Sequence, residues 1–398
     1  MLIISLLVIV GLYFCMNISL IFIWLTNENA NLTSLKITSK TLKISVIIPV
    51  RNEAENILFL LQDLEKQTLP KAQFEVIIAD DDSTDDTLNI VQKFQKNTSI
   101  NLIINQLEPK TNNNSPKKRA IDSSIKLAKG DLITTTDGDC RVGTKWLETI
   151  VNFQSQTGAY LVSSAVTFLK AQRHKVAKAQ KFNIFFFGIK SFFANIQIIE
   201  FGSLVGSGAC AMFVGKPNMC NGANLTYLKS AFYEVEGFKG NENLASGDDE
   251  FLMHKIAAKY PDKVKFLKSQ DTIVETHAHD SWQSFYNQRK RWASKWRHYN
   301  NWQTTALAVF VFMANFALPL AFSCWLFDFF SIKVLLLILL LKFSAEFVFL
   351  SLIVSFLQKK ALIWLIPFVQ IIYPFYVIFF GLVAQKKSDY IWKGRKLS

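Results

Sequence analysis

Asp137-Gly138-Asp139 sets two carboxylates two residues apart at the end of the run 131–136. That run reads as a buried strand, so both acids stand at its mouth. Carboxylates at i and i+2 there can reach one hard cation, or one metal-bound diphosphate, together. Alone the pattern is weak, because a chain of this length carries an Asp-x-Asp by chance. Its weight depends on the other chemical clusters. Upstream lie Pro49-Val50-Arg51-Asn52-Glu53 and Asp80-Asp81-Asp82-Ser83-Thr84-Asp85, each following its own strand-like run. Downstream, Asn221-Gly222-Ala223-Asn224 reads as a tight turn that presents amides, and Gly247-Asp248-Asp249-Glu250 opens a helix. Gln288, Arg291 and Trp292 then fall at i, i+3 and i+4, on one helical face. An amide, a guanidinium and an indole together suit a diphosphate, or a sugar or base to stack on.

Each cluster also has a plainer reading. Ser83 and Asp85 suit the first turn of a helix, and Asp248 is stabilised at a helix N-terminus. Capping does not account for the five Asp between 80 and 86, nor for Asp137 with Asp139. Gln288–Trp292 can equally be a basic juxtamembrane helix with an interfacial Trp. The chain has no G-x-G-x-x-G or Walker pattern, so a bound nucleotide needs cationic help from a metal and from Lys117, Lys118 or Arg119. The plain alternative for these three is a solvated basic turn.

The elements that must position these residues follow a simple alternation. The run 44–49 is β-branched and continuous, so it reads as a buried strand, and 75–79, 101–104 and 131–136 read as three further strands. Between them, 53–66 (Ile57, Leu60, Leu61 and Leu64 at helical spacing), 85–95 and 117–129 read as helices. A βαβαβαβ order argues for a parallel sheet with helices on both faces. Ligands of such sheets bind beyond the carboxyl ends of the strands, where the three upstream clusters stand.

Composition sets the surroundings. Half of the 398 residues are apolar, 35 are Phe, and mean hydropathy is +0.20, too apolar for an ordinary soluble protein. Four stretches approach membrane-spanning length: Leu2–Leu25, Thr304–Phe327, Ile332–Leu357 and Ala361–Ala384. The expected organisation is an uncleaved anchor at 1–26, a linker at 27–43 and a soluble domain at 44–300. Two or three spans at 301–384 and a basic tail at 385–398 complete it. Pro367 and Pro374 in the last stretch, and Asn315 with Pro319 in the second, mark segments that need not cross fully. The net charge of +13 is read as membrane-facing rather than as a nucleic-acid footprint. Lys36, Lys40 and Lys43 follow the first stretch, and Arg289 to Arg297 precede the second, so the soluble domain is expected in the cytoplasm, on the inner face of the cell membrane. The five Cys show no disulfide or zinc spacing, which fits a reducing compartment.

Taken in order, the clusters resemble the membrane-bound family 2 glycosyltransferases, the group that includes cellulose, hyaluronan and chitin synthases. The resemblance covers residues 44–300 and rests on I-S-V-I-I-P-V-R-N-E, D-D-x-S-x-D-x-T, K-x-x-A, D-x-D, the G-A-N turn, G-D-D-E and Q-x-x-R-W. It implies an A-type glycosyltransferase fold, Rossmann-like with a mostly parallel sheet, flanked by transmembrane helices. It also implies a nucleotide-sugar donor, a UDP-sugar being favoured, and Mg2+ or Mn2+. By motif position Pro49, Arg51, Glu53, Asp80, Asp81, Lys117 and Asp137 would line the nucleotide, and Asp139 would ligate the metal. Asp249 would be the catalytic base, and Arg291 the second catalytic residue. Asn224, Asp248, Gln288, Arg291 and Trp292 would face the diphosphate and acceptor. The sequence departs from the pattern at Arg51, where an aromatic is common, and at Asp82, where Gly is usual.

The expected activity is inverting transfer of a sugar to a hydroxyl of a lipid or lipid-linked glycan, in cell-envelope glycan or glycolipid synthesis. The alternatives are a processive polysaccharide synthase, which usually has more spans, and a degenerate scaffold, which the retention of Asp139, Asp249 and Arg291 opposes. Three features bear on the acceptor side. The Phe-rich stretch 182–193 is either core or a membrane-facing surface. Lys342 and Glu346 are read as partners within a helix bundle, with a substrate path as the minority reading. His277 and His279, with no third ligand nearby, are read as structural.

Overall fold

The computed structural model describes residues 1–27, 42–108, 115–169, 182–242, 244, 246–294, 302–384, 390–392 and 395–397. Most of the polar loop at 108–116, the linker lysines Lys36 and Lys40, Lys295 with Arg297, and the side chains of 182–187 and of the basic tail lie outside them. The chain divides into two compact units. One, the helical unit, is built from Met1–Asn27, Lys170–Ser207 and Ala278–Tyr390; the other, the sheet unit, from Glu28–Leu169, Gly208–His277 and Ile391–Ser398.

In the sheet unit, β1 (Ile44–Val50), β2 (Phe74–Asp80), β3 (Asn101–Gln106) and β4 (Leu132–Thr135) pair in parallel in the order β3-β2-β1-β4. Their apolar runs bury both faces, as parallel strands between helices must. α2 (Ile57–Glu65) turns Ile57, Leu60, Leu61 and Leu64 inward, the residues whose spacing implied the helix. Each such side chain contributes roughly 1.5–3 kcal/mol by burial. α3 (Thr87–Gln95) and α4 (Pro116–Leu127) complete the expected alternation. Pro116 opens α4 at a position with no amide to satisfy, and the Ser115 hydroxyl accepts the Lys118 amide.

Beyond β4 the sheet changes direction. α5 (Trp146–Thr157) leads to β5 (Leu161–Ser164) and β6 (Val166–Phe168). β7 (Leu225–Leu228) inserts between β4 and β5 antiparallel to both, and β8 (Val264–Leu267) pairs with β5 in parallel. α7 (Lys229–Glu234) and α8 (Asp248–Lys259) connect β7 to β8. β9 (Val274–Thr276) pairs with β6 as a separate two-stranded sheet. The central sheet is thus mostly, not wholly, parallel.

In the helical unit, α1 (Leu2–Thr26), α10 (Trp302–Leu326), α11 (Ile332–Phe356) and α12 (Ile366–Val383) realise the four apolar stretches. Leu6 and Val10 pack with Ala317, Ala321, Leu335 and Ile338. α6 (Phe182–Phe213) adds a fifth helix, over Lys190–Phe213, that is long and apolar enough to cross a membrane. Its portion up to Ser207 belongs to this unit, as does α9 (Trp282–Ser294), which carries Gln288, Arg291 and Trp292. Lys342 and Glu346 do partner each other, at 2.9 Å, and both are buried.

Candidate functional site

The site is assembled from loops at the carboxyl ends of β1, β2 and β4. The first two are stitched to each other. Arg51 donates to the carbonyls of Asp81 (2.5 Å) and Asp82 (2.6 Å), and the Ser83 hydroxyl accepts the Asn52 amide at 3.0 Å. Thr87 and Asp85 accept the amides of Glu53 (2.8 Å) and Ala54 (3.1 Å), and Asn52 accepts the Thr84 amide at 2.8 Å. Asp82 sits at φ 60°, a left-handed conformation that Asp tolerates and Gly prefers, which is why a glycine suits this position. Arg51 and Ser83 therefore hold loops together, and only Asp85, which accepts the Thr87 amide at 3.0 Å, behaves as a cap.

Asp80 and Asp81 differ sharply. Both are buried, but the Asp81 carboxylate meets Arg119 at 2.5 Å, whereas Asp80 Oδ1 has no hydrogen-bond partner. A buried carboxylate oxygen left open at a strand end suits a donor group on a ligand. The three basic residues of α4 also divide. Lys118 is buried, donates to the Asn241 carbonyl at 2.6 Å and lies over the Phe251 ring. Arg119 serves Asp81 and the Glu108 carbonyl. Lys117 alone reaches the acids at the end of β4.

Lys117 Nζ lies 2.8 Å from Asp137 Oδ1 and 3.5 Å from Asp248 Oδ2. Burial lowers its pKa, but the Asp137 carboxylate and then Asp248 outweigh it, so the ammonium stays charged above the ordinary lysine range. Asp248 thus faces a cation rather than capping α8. Gly138 between the two acids is required by space: a Cβ there would stand 2.9 Å from Val50 Cγ1 and 3.1 Å from Glu53 Cγ. Asp139 Oδ2 accepts the Thr276 hydroxyl at 3.2 Å, and Arg141, two residues on, is held by both oxygens of Asp63 at 2.5 and 2.8 Å.

Asp249 is held by main-chain amides. Gly222 donates to Oδ2 at 2.9 Å and Glu250 to Oδ1 at 2.8 Å. The Gly222 carbonyl accepts the Thr135 hydroxyl of β4 at 2.7 Å, so one residue links the sheet to the start of α8. A Cβ on Gly222 would lie 3.1 Å from Asp248 Oδ2 and 3.5 Å from Lys117 Nζ. Asn224, in contrast, is buried and fully used: it accepts from Trp146 and donates to the carbonyls of Ala165 and Thr272. Those three bonds fix the shape of the turn. Pro49 lies within β1, and Glu53 is buried against Gly138.

Among the described residues no three of His, Cys, Asp and Glu converge to hold a metal. A cation of the Mg2+ type needs only one or two protein carboxylates, substrate phosphates completing its shell. Asp139 would supply the protein ligand, with Asp137 partly neutralised by Lys117. Gln288, Arg291 and Trp292 belong to the helical unit and are half-buried on α9. The sequence pattern had no signal for Thr276.

A parallel sheet with acids at its strand ends, entered by an antiparallel β7, is the A-type glycosyltransferase fold. The mannosyltransferase PcManGT from Pyrobaculum calidifontis, solved with GDP-Man and Mn2+, shares it: TM-score 0.54, 15% identity, 94% of this chain and 99% of that one. Residues 45–219 match the family described as Glycosyl transferase family 2. Poly(ribitol-phosphate) beta-N-acetylglucosaminyltransferase TarS of Staphylococcus aureus is 38% identical over 112 residues, 28% of this chain and 19% of TarS. Glycosyltransferase AglE of Haloferax volcanii is 35% identical over 126 residues, 31% of this chain and 40% of AglE. The match therefore spans less than half the length of either relative.

Proposed function

We propose that the protein is an inverting glycosyltransferase that moves a sugar from a nucleotide-diphospho-sugar, a UDP-sugar first among them, to a hydroxyl of a lipid or lipid-linked glycan. The observation that chiefly supports this is the Lys117 bridge. It ties Asp137 at the end of β4 to Asp248 at the start of α8, so the acids of the strand rim and of the helix end share one cation. The open Asp80 oxygen suits a nucleobase N–H. Asp81, clamped by Arg119, and Arg51 hold the walls around it.

Asp249 is the proposed base. Its two amide bonds fix its direction. It takes the proton of the acceptor hydroxyl as that oxygen bonds to the anomeric carbon. The bond from the same carbon to the diphosphate breaks, the nucleoside diphosphate leaves as an anion, and the configuration inverts. Lys117 stays charged beside the departing group. Mg2+ or Mn2+ held by Asp139 would neutralise the diphosphate when bound. The part given to Gln288, Arg291 and Trp292 rests on the resemblance. The apolar helices and the lysines that flank them favour action at the inner face of the cell membrane.

The test is Asp249→Asn in detergent-solubilised protein, after a screen of UDP- and GDP-sugars with Mg2+ or Mn2+. Transfer is expected to fall about 10²–10⁴-fold while donor affinity stays within about threefold. Near-parental turnover would remove Asp249 as the base.

A further inference from the structure

The deepest side chain of α9 is none of the three residues that the motif spacing selects. It is Arg289, 3% exposed. Its guanidinium faces both oxygens of Glu200 on α6, with Nε 3.1 Å from Oε1 and Nη2 closer still to Oε2. Tyr376 on α12 donates to Glu200 Oε1 at 2.7 Å and accepts from Arg289 Nε at 3.1 Å. Nη1 donates to the side-chain oxygen of Gln288. The flat faces are used as well: the guanidinium carbon lies 4.5 Å from the Phe285 ring centre and 4.3 Å from that of Trp292. Trp292 in turn packs on Phe201 at 5.7 Å.

A buried ion pair is weak evidence for stability, since apolar replacements of similar volume often cost nothing. What such a pair supplies is a fixed geometry, and here the geometry ends on two of the three motif residues. An amide whose oxygen is taken by a guanidinium is left to act chiefly as an N–H donor, the form that suits a phosphate or hydroxyl oxygen. A lysine cannot reproduce this, because only the planar fork serves Glu200, Tyr376 and Gln288 at once.

We infer that Arg289 is a positioning residue for transfer: anchored by Glu200 and Tyr376, it sets the orientation of the Gln288 amide and, secondarily, of the Trp292 indole. The inference rests on the proposed transferase reading, which gives Gln288 a part in the reaction. A thermodynamic cycle tests it. Arg289→Lys keeps the charge opposite Glu200 and is expected to lower kcat about tenfold, with donor affinity unchanged. Gln288→Ala is expected to lower kcat by at least as much. If Arg289 acts through Gln288, the double variant is no slower than Gln288→Ala alone. If the two losses multiply, or if Gln288→Ala leaves kcat at the parental value, the inference is overturned. Tyr376→Phe, which removes one hydroxyl, repeats the cycle should Arg289→Lys fail to fold. Retained transfer in Asp249→Asn defeats the base assignment instead, and leaves the cycle readable.

Discussion

Two ion-paired lysines mark the two units, and their settings are opposite. Lys342 in the helical unit has one carboxylate partner, Glu346. Tyr13 and Gln370 donate to that carboxylate at 3.0 and 3.3 Å, and the ammonium lies 4.1 Å from the Tyr13 ring centre. The cluster is balanced and closed. Lys117 in the sheet unit stands between Asp137 and Asp248 within the field of Asp249, so one cation answers three acids. Its side chain is 19% exposed and that of Asp137 40%, against 1% for Lys342. The lesson is that burial of charge does not by itself mark a working site. An acidic surplus open to solvent can exchange partners with a ligand or a metal; a neutral, sealed pair can only hold helices.

The largest effects should come from breaking that contrast. Lys342→Met leaves Glu346 buried without its countercharge and is expected to cost about 3–5 kcal/mol, read as a lowered melting midpoint in detergent. Lys117→Met should change the midpoint little but weaken donor binding about tenfold or more, measured by titration calorimetry. Equal destabilisation by the two would erase the distinction. Because the folded-state pKa of Lys117 is raised, its bridge is complete below the ordinary lysine value of about 10.4 and lost only as pH rises through the higher folded value. Donor affinity should therefore show no loss from this group between about pH 8 and 10.

Gly222→Ala sharpens the picture at smaller cost. The added methyl presses on Asp248 Oδ2 at 3.1 Å, beside the Lys117 bridge, so kcat should drop about tenfold with the fold intact by circular dichroism. Thr276→Val removes the hydroxyl on Asp139 and is expected to weaken Mn2+ binding in the presence of nucleotide about tenfold, followed by electron paramagnetic resonance, with Thr276→Ser restoring it. Asp82→Gly should be nearly neutral in stability, within about 0.5 kcal/mol, since relief at φ 60° offsets the lost contact to Arg51.

The parallel half of the sheet was legible because buried parallel strands are continuous apolar runs, and 44–49 and 75–79 are of that kind. The reversal at β7 was not, because a four-residue strand after a turn has no direction in its sequence. The charge runs were readable only as groups. Nothing in Lys117-Lys118-Arg119 shows that Lys118 points into the protein, or in Arg289-Lys290-Arg291 that the first is buried and the last is not. Such assignments depend on partners far along the chain, Asn241 and Glu200, which no local pattern names. Asn224 followed the same logic in reverse: a turn amide that looks free is consumed by Trp146, Ala165 and Thr272. The span-length apolar helix within α6 is hard to read from the sequence because Lys190 and Glu200 interrupt its hydropathy, and the partner of Glu200, Arg289, lies 89 residues later.

The Glu200–Arg289 pair has a practical consequence for anyone seeking a soluble version of this protein. The helical unit is drawn from three separate lengths of chain, so no single cut frees the sheet unit. A fragment ending at His277 keeps α6 and with it Glu200, yet discards both Arg289 and Tyr376. It would carry an orphaned acid on an apolar helix, and is expected to precipitate. Freeing the sheet unit requires excision of 170–207 as well as removal of 1–27 and 278–390, so that Glu200 and Arg289 leave together.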